Sequence, residues 1–343
     1  MGVTLSICLP THNRGALLAD RVRTWLAAAP DDFEIVVSDN ASDNGTYEAL
    51  SAVRDLRFTL VRNETDVGSF ENQLRAFEAA HGRYVMQLMD KDELVPAGIE
   101  AAVAALRSAD VACGEFALNH PADARPALHR ESGYRAFAHR GLVYAHPSGR
   151  FFSAGLLVRE GLLARLRALD PVIRPFSTDY LVSLCLPHGD YLVAEQPFVK
   201  HNLPPYEGVA RSFSYTGRRT FYFMPDFIWR EFTAYVAFLR TLGALSGPAR
   251  FALAVRLVRR VVFPHVTSIY RWVLGERTLR EWYGIPDDLY RAELSRDLEG
   301  DFFKHVRETQ DLTAGERLAV RLAAFCCRRR ARKQRKEARD HER

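Results

Sequence analysis

RYVMQLMDKDELVP, residues 83–96, joins the pattern of a buried strand to a knot of charge. Residues 84–89 are apolar apart from Gln87, a run of strand length. The run stops at Asp90, Lys91, Asp92 and Glu93, and beyond Pro96 a helical pattern covers 97–107. A buried strand ending in carboxylates is costly unless those charges meet water or a cation. In open parallel sheets ligands bind beyond the strand ends. Carboxylates there suit a hard divalent cation shared with phosphates. Residues 90–93 are read either as the floor of an active site or as a solvated acidic turn.

Upstream, LSICL (5–9) and FEIVVS (33–38) are short apolar runs. Each ends in turn formers, PTHNR (10–14) and DNASDNG (39–45). Helical patterns cover 16–29, with Leu17, Leu18, Val22, Trp25 and Leu26 on one face, then 46–53 and 70–81, and a strand covers 57–61. Strand and helix alternate four times, the signature of a parallel α/β sheet. Right-handed crossovers bring the turns after Leu9, Ser38 and Met89 to one edge. No G-x-G-x-x-G or Walker A motif appears, which argues against a dinucleotide site or a P-loop.

Downstream, 111–118 reads as a strand, and 119–150, rich in His, Pro, Arg and Gly, gives no clear pattern. The apolar run 151–158 leads into a helix from Arg159. Ser177, Thr178 and Asp179 form an N-cap signal, and 191–201 reads as a last strand or a pair of short strands. From 214 to 274 the chain reads as helical and aromatic. Within it, 249–263 is amphipathic: Phe251, Ala254, Val255, Val258, Val261 and Val262 oppose Arg256, Arg259 and Arg260, and Pro264 ends the helix. A final helix covers 313–327.

A chain of 343 residues exceeds one small core. The expected division is a sheet domain over 1–205, a helical extension over 206–327 and a disordered basic tail over 328–343. The tail carries a net +6 and residues 213–285 a net +7, leaving −8 for the rest of a chain whose net charge is +5. Two regions with different partners are implied. Strand pattern from Thr4 leaves no room for a signal peptide, and no apolar run is long enough to span a membrane. Cys8, Cys113, Cys185, Cys326 and Cys327 lack C-x-x-C spacing, so free thiols in a reducing cytoplasm are expected rather than zinc ligands.

The stretches LSICLPTHNR, FEIVVSDNASDNGT and VRNETDVGSFENQLRAFEAAHGRYVMQLMDKDELVP together resemble glycosyltransferase family 2. Bacterial surface-polysaccharide transferases of the abequosyltransferase type are the nearest in look. The resemblance is dense over 4–106 and loose over 150–202. It implies a GT-A fold: α/β and Rossmann-like, with a mostly parallel sheet flanked by helices, here followed by the helical extension. It further implies transfer, with inversion, from a nucleotide-diphosphate sugar to a glycan or lipid-linked acceptor in cell-surface polysaccharide synthesis.

Its residue roles carry over position by position. Thr11, Asn13 and Arg14 match the segment that meets the nucleotide; as plain residues, Thr11 or Asn13 could equally cap the following helix. Asp39 matches the aspartate of base and ribose, with an Asx turn as its alternative. Asp66, Gly68 and Asn72 match N-x-G-x-x-x-N, with Asp66 replacing the usual Asn. Asp90 and Asp92 match Asp-x-Asp, which holds Mg or Mn. Lys91 stands where an aspartate is expected, so it either weakens metal binding or itself neutralises the donor's diphosphate. His201 matches a late histidine near the metal. Asp179 matches the general base, and is equally an acid in the first turn of a helix.

Two other functions compete: a non-catalytic nucleotide-sugar or glycan binder with a degenerate metal site, and a nucleic-acid arm. The second lacks any nucleic-acid module, so no nucleic acid is expected. The basic C-terminus implies a cytoplasmic protein held peripherally on the anionic inner face of the cell membrane.

Overall fold

The computed structural model describes residues 2–121, 126–144, 146–170, 174, 176–202, 224–282 and 285–341, with the backbone alone at 282 and 331–341. The chain divides into two compact units. The first comprises Met1–Ala136, Ala145–Leu169 and Arg174–Ala210. The second comprises Phe137–Tyr144, Asp170–Ile173 and Arg211–Arg343. Against the expected boundary at 205, residues 137–144 go with the second unit. There the Tyr144 ring lies 5.0 Å from that of His265, and Arg256 Nε donates to the Ala138 carbonyl at 2.9 Å.

The first unit is built on a mixed sheet in the order β3-β2-β1-β4-β8-β6-β9-β5, with β7 pairing β9. Its parallel wing comprises β1 (Leu5–Thr11), β2 (Phe33–Asp39), β3 (Phe58–Arg62) and β4 (Tyr84–Gln87). All of β1 and β2 is buried, which continuous apolar runs between two layers of helices require. The helices of this wing are α1 (Ala16–Ala28), α2 (Thr46–Ser51), α3 (Gly68–Glu78) and, beyond the short strand β5 (Glu93–Leu94), α4 (Ile99–Arg107). α1 buries Leu18, Ala19, Val22, Trp25 and Leu26, whereas Leu17, expected on that face, is 48% exposed.

Beyond α4 run β6 (Cys113–Leu118), β7 (Ala127–Glu131), α5 (Gly133–Arg140) and β8 (Arg150–Ser153). Then come α6 (Ala154–Arg159), α7 (Leu162–Arg167), α8 (Ser177–Cys185) and β9 (Tyr191–Lys200). β8 runs antiparallel to both β4 and β6, so its start lies beside the end of β4. The apolar run 151–158 is thus split between β8 and α6, and the patternless 119–150 contains β7 and α5.

The second unit is helical: α9 (Pro225–Leu242), α10 (Gly247–Leu257), α11 (Tyr270–Gly275), α12 (Arg277–Trp282), α13 (Asp287–Leu294), α14 (Leu298–Glu308) and α15 (Ala314–His341). The helix expected over 214–223 lies outside the described residues. Leu253, Ala254, Leu257, Val258 and Val262 are buried in this unit's core, whereas Phe251, Val255 and Val261, expected on the same face as Ala254, Val258 and Val262, are only partly buried. Pro264 does not end the helix. Wide π-helical turns at Val258–Val262 and His265–Ile269 flank it, with Phe263 and Tyr270 donating to carbonyls five residues back. Such turns absorb the donor that proline lacks and the bulk of its ring. The tail expected to be disordered continues α15 to His341. It holds neither Gly nor Pro and is rich in strong helix formers.

Gly114 in β6 is packed tightly between β8 and β9. A Cβ there would lie 2.3 Å from the Leu192 carbonyl of β9 and 2.4 Å from the Phe151 ring of β8. Gly114→Ala should destabilise the sheet unit by about 1–3 kcal/mol or more. Denaturant unfolding measures this, and an unchanged midpoint would show that β6 and β9 part freely.

Candidate active site

The strand ends of the parallel wing meet as expected. Asn40 N–H donates to the Thr11 carbonyl at 2.9 Å, and Thr11 Oγ1 to Asp90 Oδ2 at 3.1 Å. Asn72 of α3 ties this edge together from within. Its amide nitrogen donates to the Ser38 carbonyl at 2.9 Å, and its oxygen accepts from Ser38 Oγ at 2.6 Å and Asn63 Nδ2 at 2.8 Å. Only 2% of Asn72 is exposed, so it shapes the edge and presents no free polar face.

Asn13 joins the β1–α1 and β2–α2 loops. Its N–H donates to Ser42 Oγ at 2.9 Å and its Oδ1 accepts from Asp43 N–H at 3.1 Å, with the backbone left-handed at φ 57. Neither Thr11 nor Asn13 caps α1; Gly15 occupies that position. Asp66 Oδ1 accepts from Asn40 Nδ2 and from Gly68 N–H, which folds the turn before α3.

Asp39 is wholly buried. Its Oδ2 accepts from Ser42 N–H at 3.3 Å and faces Arg62 Nε at 3.8 Å. Its Oδ1 has no hydrogen-bond partner among the described residues. A buried acceptor of this kind is costly unless a ligand supplies the donor. Alongside lies a pocket of about 400 Å³ lined by Ala41, Ser42, Asp43, Arg62, Asn63 and Glu64. The Arg62 guanidinium stacks 4.3 Å over the Tyr47 ring.

The acidic knot is not a solvated turn: Asp90 is 7% and Asp92 0% exposed. Asp90 Oδ2 forms an ion pair with Arg14 Nε at 2.8 Å, without the alignment of a hydrogen bond. Glu93 faces Arg21 at 2.9 Å and Lys200 at 3.5 Å. Asp92 instead meets two imidazoles, with His201 Nδ1 2.9 Å from Oδ1 and His146 Nε2 3.5 Å from Oδ2. Ser148 Oγ donates to Oδ2, and Asn202 N–H to Oδ1 at 3.1 Å. Burial alone would raise the Asp92 pKa, but His201, His146, Ser148 and Lys91 together hold it below the usual range. Burial lowers the pKa of Lys91, against the pull of Asp92 and Asp90. It takes His146 down to about 3, so that imidazole stays neutral.

Asp92, His146 and His201 bring one ligand atom each within 4.8 Å of one another. Asp90, expected beside Asp92 as a ligand, lies outside this group with Arg14 and Thr11 on its Oδ2, and the group includes His146, which sequence reading did not single out. Two imidazoles with an ionised carboxylate are a donor set that fits a divalent transition ion. His146 Nδ1 accepts Ser148 N–H at 3.2 Å, so ligation through Nε2 requires that bond to yield.

Asp179 stands in the first turn of α8 and is 2% exposed. Arg150 Nη2 lies 3.9 Å from its Oδ1, and Arg150 Nε 3.3 Å from Glu115 Oε2, which also accepts from Tyr191 OH at 3.0 Å. Beside Asp179, Thr178 Oγ1 donates to Gln87 Oε1 at 3.0 Å. Burial lowers the Arg150 pKa, but Tyr191, Glu115 and Asp179 more than offset it, so the guanidinium stays charged.

His146, Ser148 and Arg150 were missed because all three sit in HPSGR (146–150), at the end of the stretch whose sequence gives no clear pattern. Gly149 seats this segment on β4. Its N–H donates to the Gln87 carbonyl at 2.9 Å, and its φ of 85 with the Phe116 carbonyl 2.7 Å from a would-be Cβ admits glycine only. The signal was a P-S-G turn directly ahead of an apolar strand.

The model for the family Glycosyl transferase family 2 matches residues 6–162. MT1568 of Mycobacterium tuberculosis (strain CDC 1551 / Oshkosh), itself uncharacterized, is 28% identical over 96 residues, 28% of this chain and 30% of that one. Validoxylamine A glucosyltransferase of Streptomyces hygroscopicus subsp. limoneus is 46% identical over 68 residues, 19% of this chain and 15% of that one. The chain spans about a third or less of the curated relatives it matches. Among solved structures, S. aureus TarS 1-349 in complex with UDP superposes with a TM-score of 0.56 at 12% identity, covering 95% of this chain and 92% of that one. At that identity the likeness is one of fold, the GT-A fold expected from the sequence.

Arg150 compensates two carboxylates at once, the buried Asp179 and the partly buried Glu115. Arg150→Met should cost about 3–5 kcal/mol, the penalty for stranding buried charge. Arg150→Met with Glu115→Gln should recover part of the loss in thermal unfolding; no recovery would detach Glu115 from the network.

Proposed function

We propose, with the glycosyl transferase family 2 domain as the premise, that this chain transfers a sugar from a nucleotide-diphosphate donor to a hydroxyl of a glycan or lipid-linked acceptor. Transfer proceeds with inversion and serves cell-surface polysaccharide synthesis, with acceptors of the kind abequosyltransferases use. One observation carries the reading: the convergence of Asp92, His146 and His201 beyond the end of β4.

Asp39 takes hydrogen bonds from the base or ribose through its open Oδ1, and the pocket beside Arg62 receives the base. Asp92, His146 and His201 hold a divalent ion, and two imidazoles favour Mn over Mg. When bound, the ion supplies positive charge to the diphosphate as it leaves. Arg14, from the loop after β1, and Lys91, from the turn after β4, add fixed cations. Thr11, Asn13, Asp66, Gly68 and Asn72 hold the loops in shape around the donor. Asp179 accepts the acceptor hydroxyl's proton as that oxygen attacks the anomeric carbon from the face opposite the diphosphate.

A second reading, donor binding without transfer, draws on Asp179, which is 2% exposed and faces Arg150. On either reading the protein works in the cytoplasm, with its basic residues 328–343 against the anionic inner face of the membrane. No helix among the described residues is long and apolar enough to cross that membrane.

Nucleotide sugars should raise the melting temperature of the wild type, uridine donors being the first to try. Asp179→Asn should keep that shift and lower turnover by about 10²–10⁴-fold. If the wild type binds donor but neither transfers nor hydrolyses it with any divalent metal, the binding reading replaces the catalytic one.

The donor set makes a separate prediction. Asp92→Asn and His201→Ala should each weaken Mn binding by at least about tenfold, read from the spectrum of free Mn without any turnover. Mn affinity equal to wild type in Asp92→Asn would remove the metal from the proposal.

A further inference from the structure

α15 has two apolar sides. Ala319, Val320, Ala323, Ala324 and Cys327 are buried against α10, the π-helical turn at Val258–Val262 and α14, all within the second unit. On the opposite side Leu318, Leu322 and Phe325 are 54%, 48% and 59% exposed. Their spacing, four residues and then three, places them in one line along the helix. Leu and Phe in line on an exposed face mark an interaction surface, whereas scattered exposed apolar residues do not.

Charge identifies the occupant. Between 314 and 330 the helix carries Arg317, Arg321, Arg328, Arg329 and Arg330 against one acid, Glu316. That acid is buried and paired with Arg240 at 2.7 Å. Arg321, Arg328, Arg329 and Arg330 are exposed. The Arg329 guanidinium lies 6.0 Å from the Phe325 ring, so a charged head stands at the end of the apolar line. The backbone stays helical to His341, through a stretch whose net charge from residue 328 is +6. An apolar stripe flanked by arginines and continued by a basic helix suits the boundary between anionic headgroups and acyl chains. A second copy of the same face would bring arginine against arginine.

We propose that α15 is a lipid-docking helix, with Leu318, Leu322 and Phe325 entering the interface of an anionic bilayer and Arg321 and Arg328–Arg330 engaging its headgroups. This rests on the membrane reading above, but not on the transfer reading. It differs from attachment by the basic tail alone, because an apolar insertion sets the depth and rotation of the helix.

The full-length protein is floated with vesicles of phosphatidylcholine, with and without phosphatidylglycerol, at low and high salt. Wild type should bind only the anionic vesicles. Leu318→Ser with Leu322→Ser and Phe325→Ser should weaken that binding by at least about tenfold. Leu56→Ser, which removes a fully exposed apolar residue of the first unit, should leave it unchanged. In a Phe325→Trp variant the indole emission should shift to the blue on anionic vesicles alone. If the triple variant binds like wild type while Arg328→Glu with Arg329→Glu and Arg330→Glu does not, the basic tail acts alone and the docking stripe is rejected. Equal binding to neutral vesicles overturns the headgroup assignment. Absence of vesicle binding, with a dimer in sedimentation that the triple variant dissolves, assigns the stripe to a second copy instead.

Discussion

A single buried amide holds the working edge of the sheet in place. Asn72 bonds Ser38 twice, at the carbonyl and at the hydroxyl, and also takes the amide of Asn63 just beyond β3. The ends of parallel strands carry backbone groups that the sheet leaves unpaired, and they stay dry only if something inside the fold meets them. Once Asn72 does so, the loops after β1 and β2 close on each other through Asn13 and Ser42. The carboxylate of Asp39 is then fixed at the rim with one oxygen open.

The three acids of the knot show how a local pattern and a tertiary site part company. Asp90, Asp92 and Glu93 are read from sequence as one patch of negative charge. In the fold they separate at once: Asp90 goes to Arg14, Glu93 to Arg21 and Lys200, and Asp92 alone to the imidazoles. Each buried carboxylate finds its own cation or donor, because an unpaired one could not be buried. Lys91, the departure from the acidic pattern, lies between two of these systems and balances both Asp90 and Asp92.

Much of the first unit was legible because β1, β2 and β4 are buried on both faces and write themselves as nearly unbroken apolar runs. The ordering of strand and helix then dictated which turns would meet. What stayed hidden came from the antiparallel half. His146 and Ser148 reach Asp92 only because β8 reverses direction beside β4, a pairing between segments some sixty residues apart that no local period encodes. Asp179 was placed correctly at a helix start, but its buried arginine partner comes from another strand. In the helical unit the rule that proline ends a helix failed because the chain widened its turns around Pro264, and composition does not announce that choice.

Those widened turns also keep time. Ala254, Val258, Val262, Val266 and Tyr270 are all buried, one every fourth residue. In a uniform α-helix a four-residue step overshoots a full revolution by about 40°, so five such positions would wander about 160° round the axis. The last would end facing away from the first. The two wide turns let the backbone rotate less per residue, and the overshoot is cancelled where it accumulates. Pro264 therefore sits inside a phase correction, and a straight, regular helix of the same sequence would turn Tyr270 out of the core.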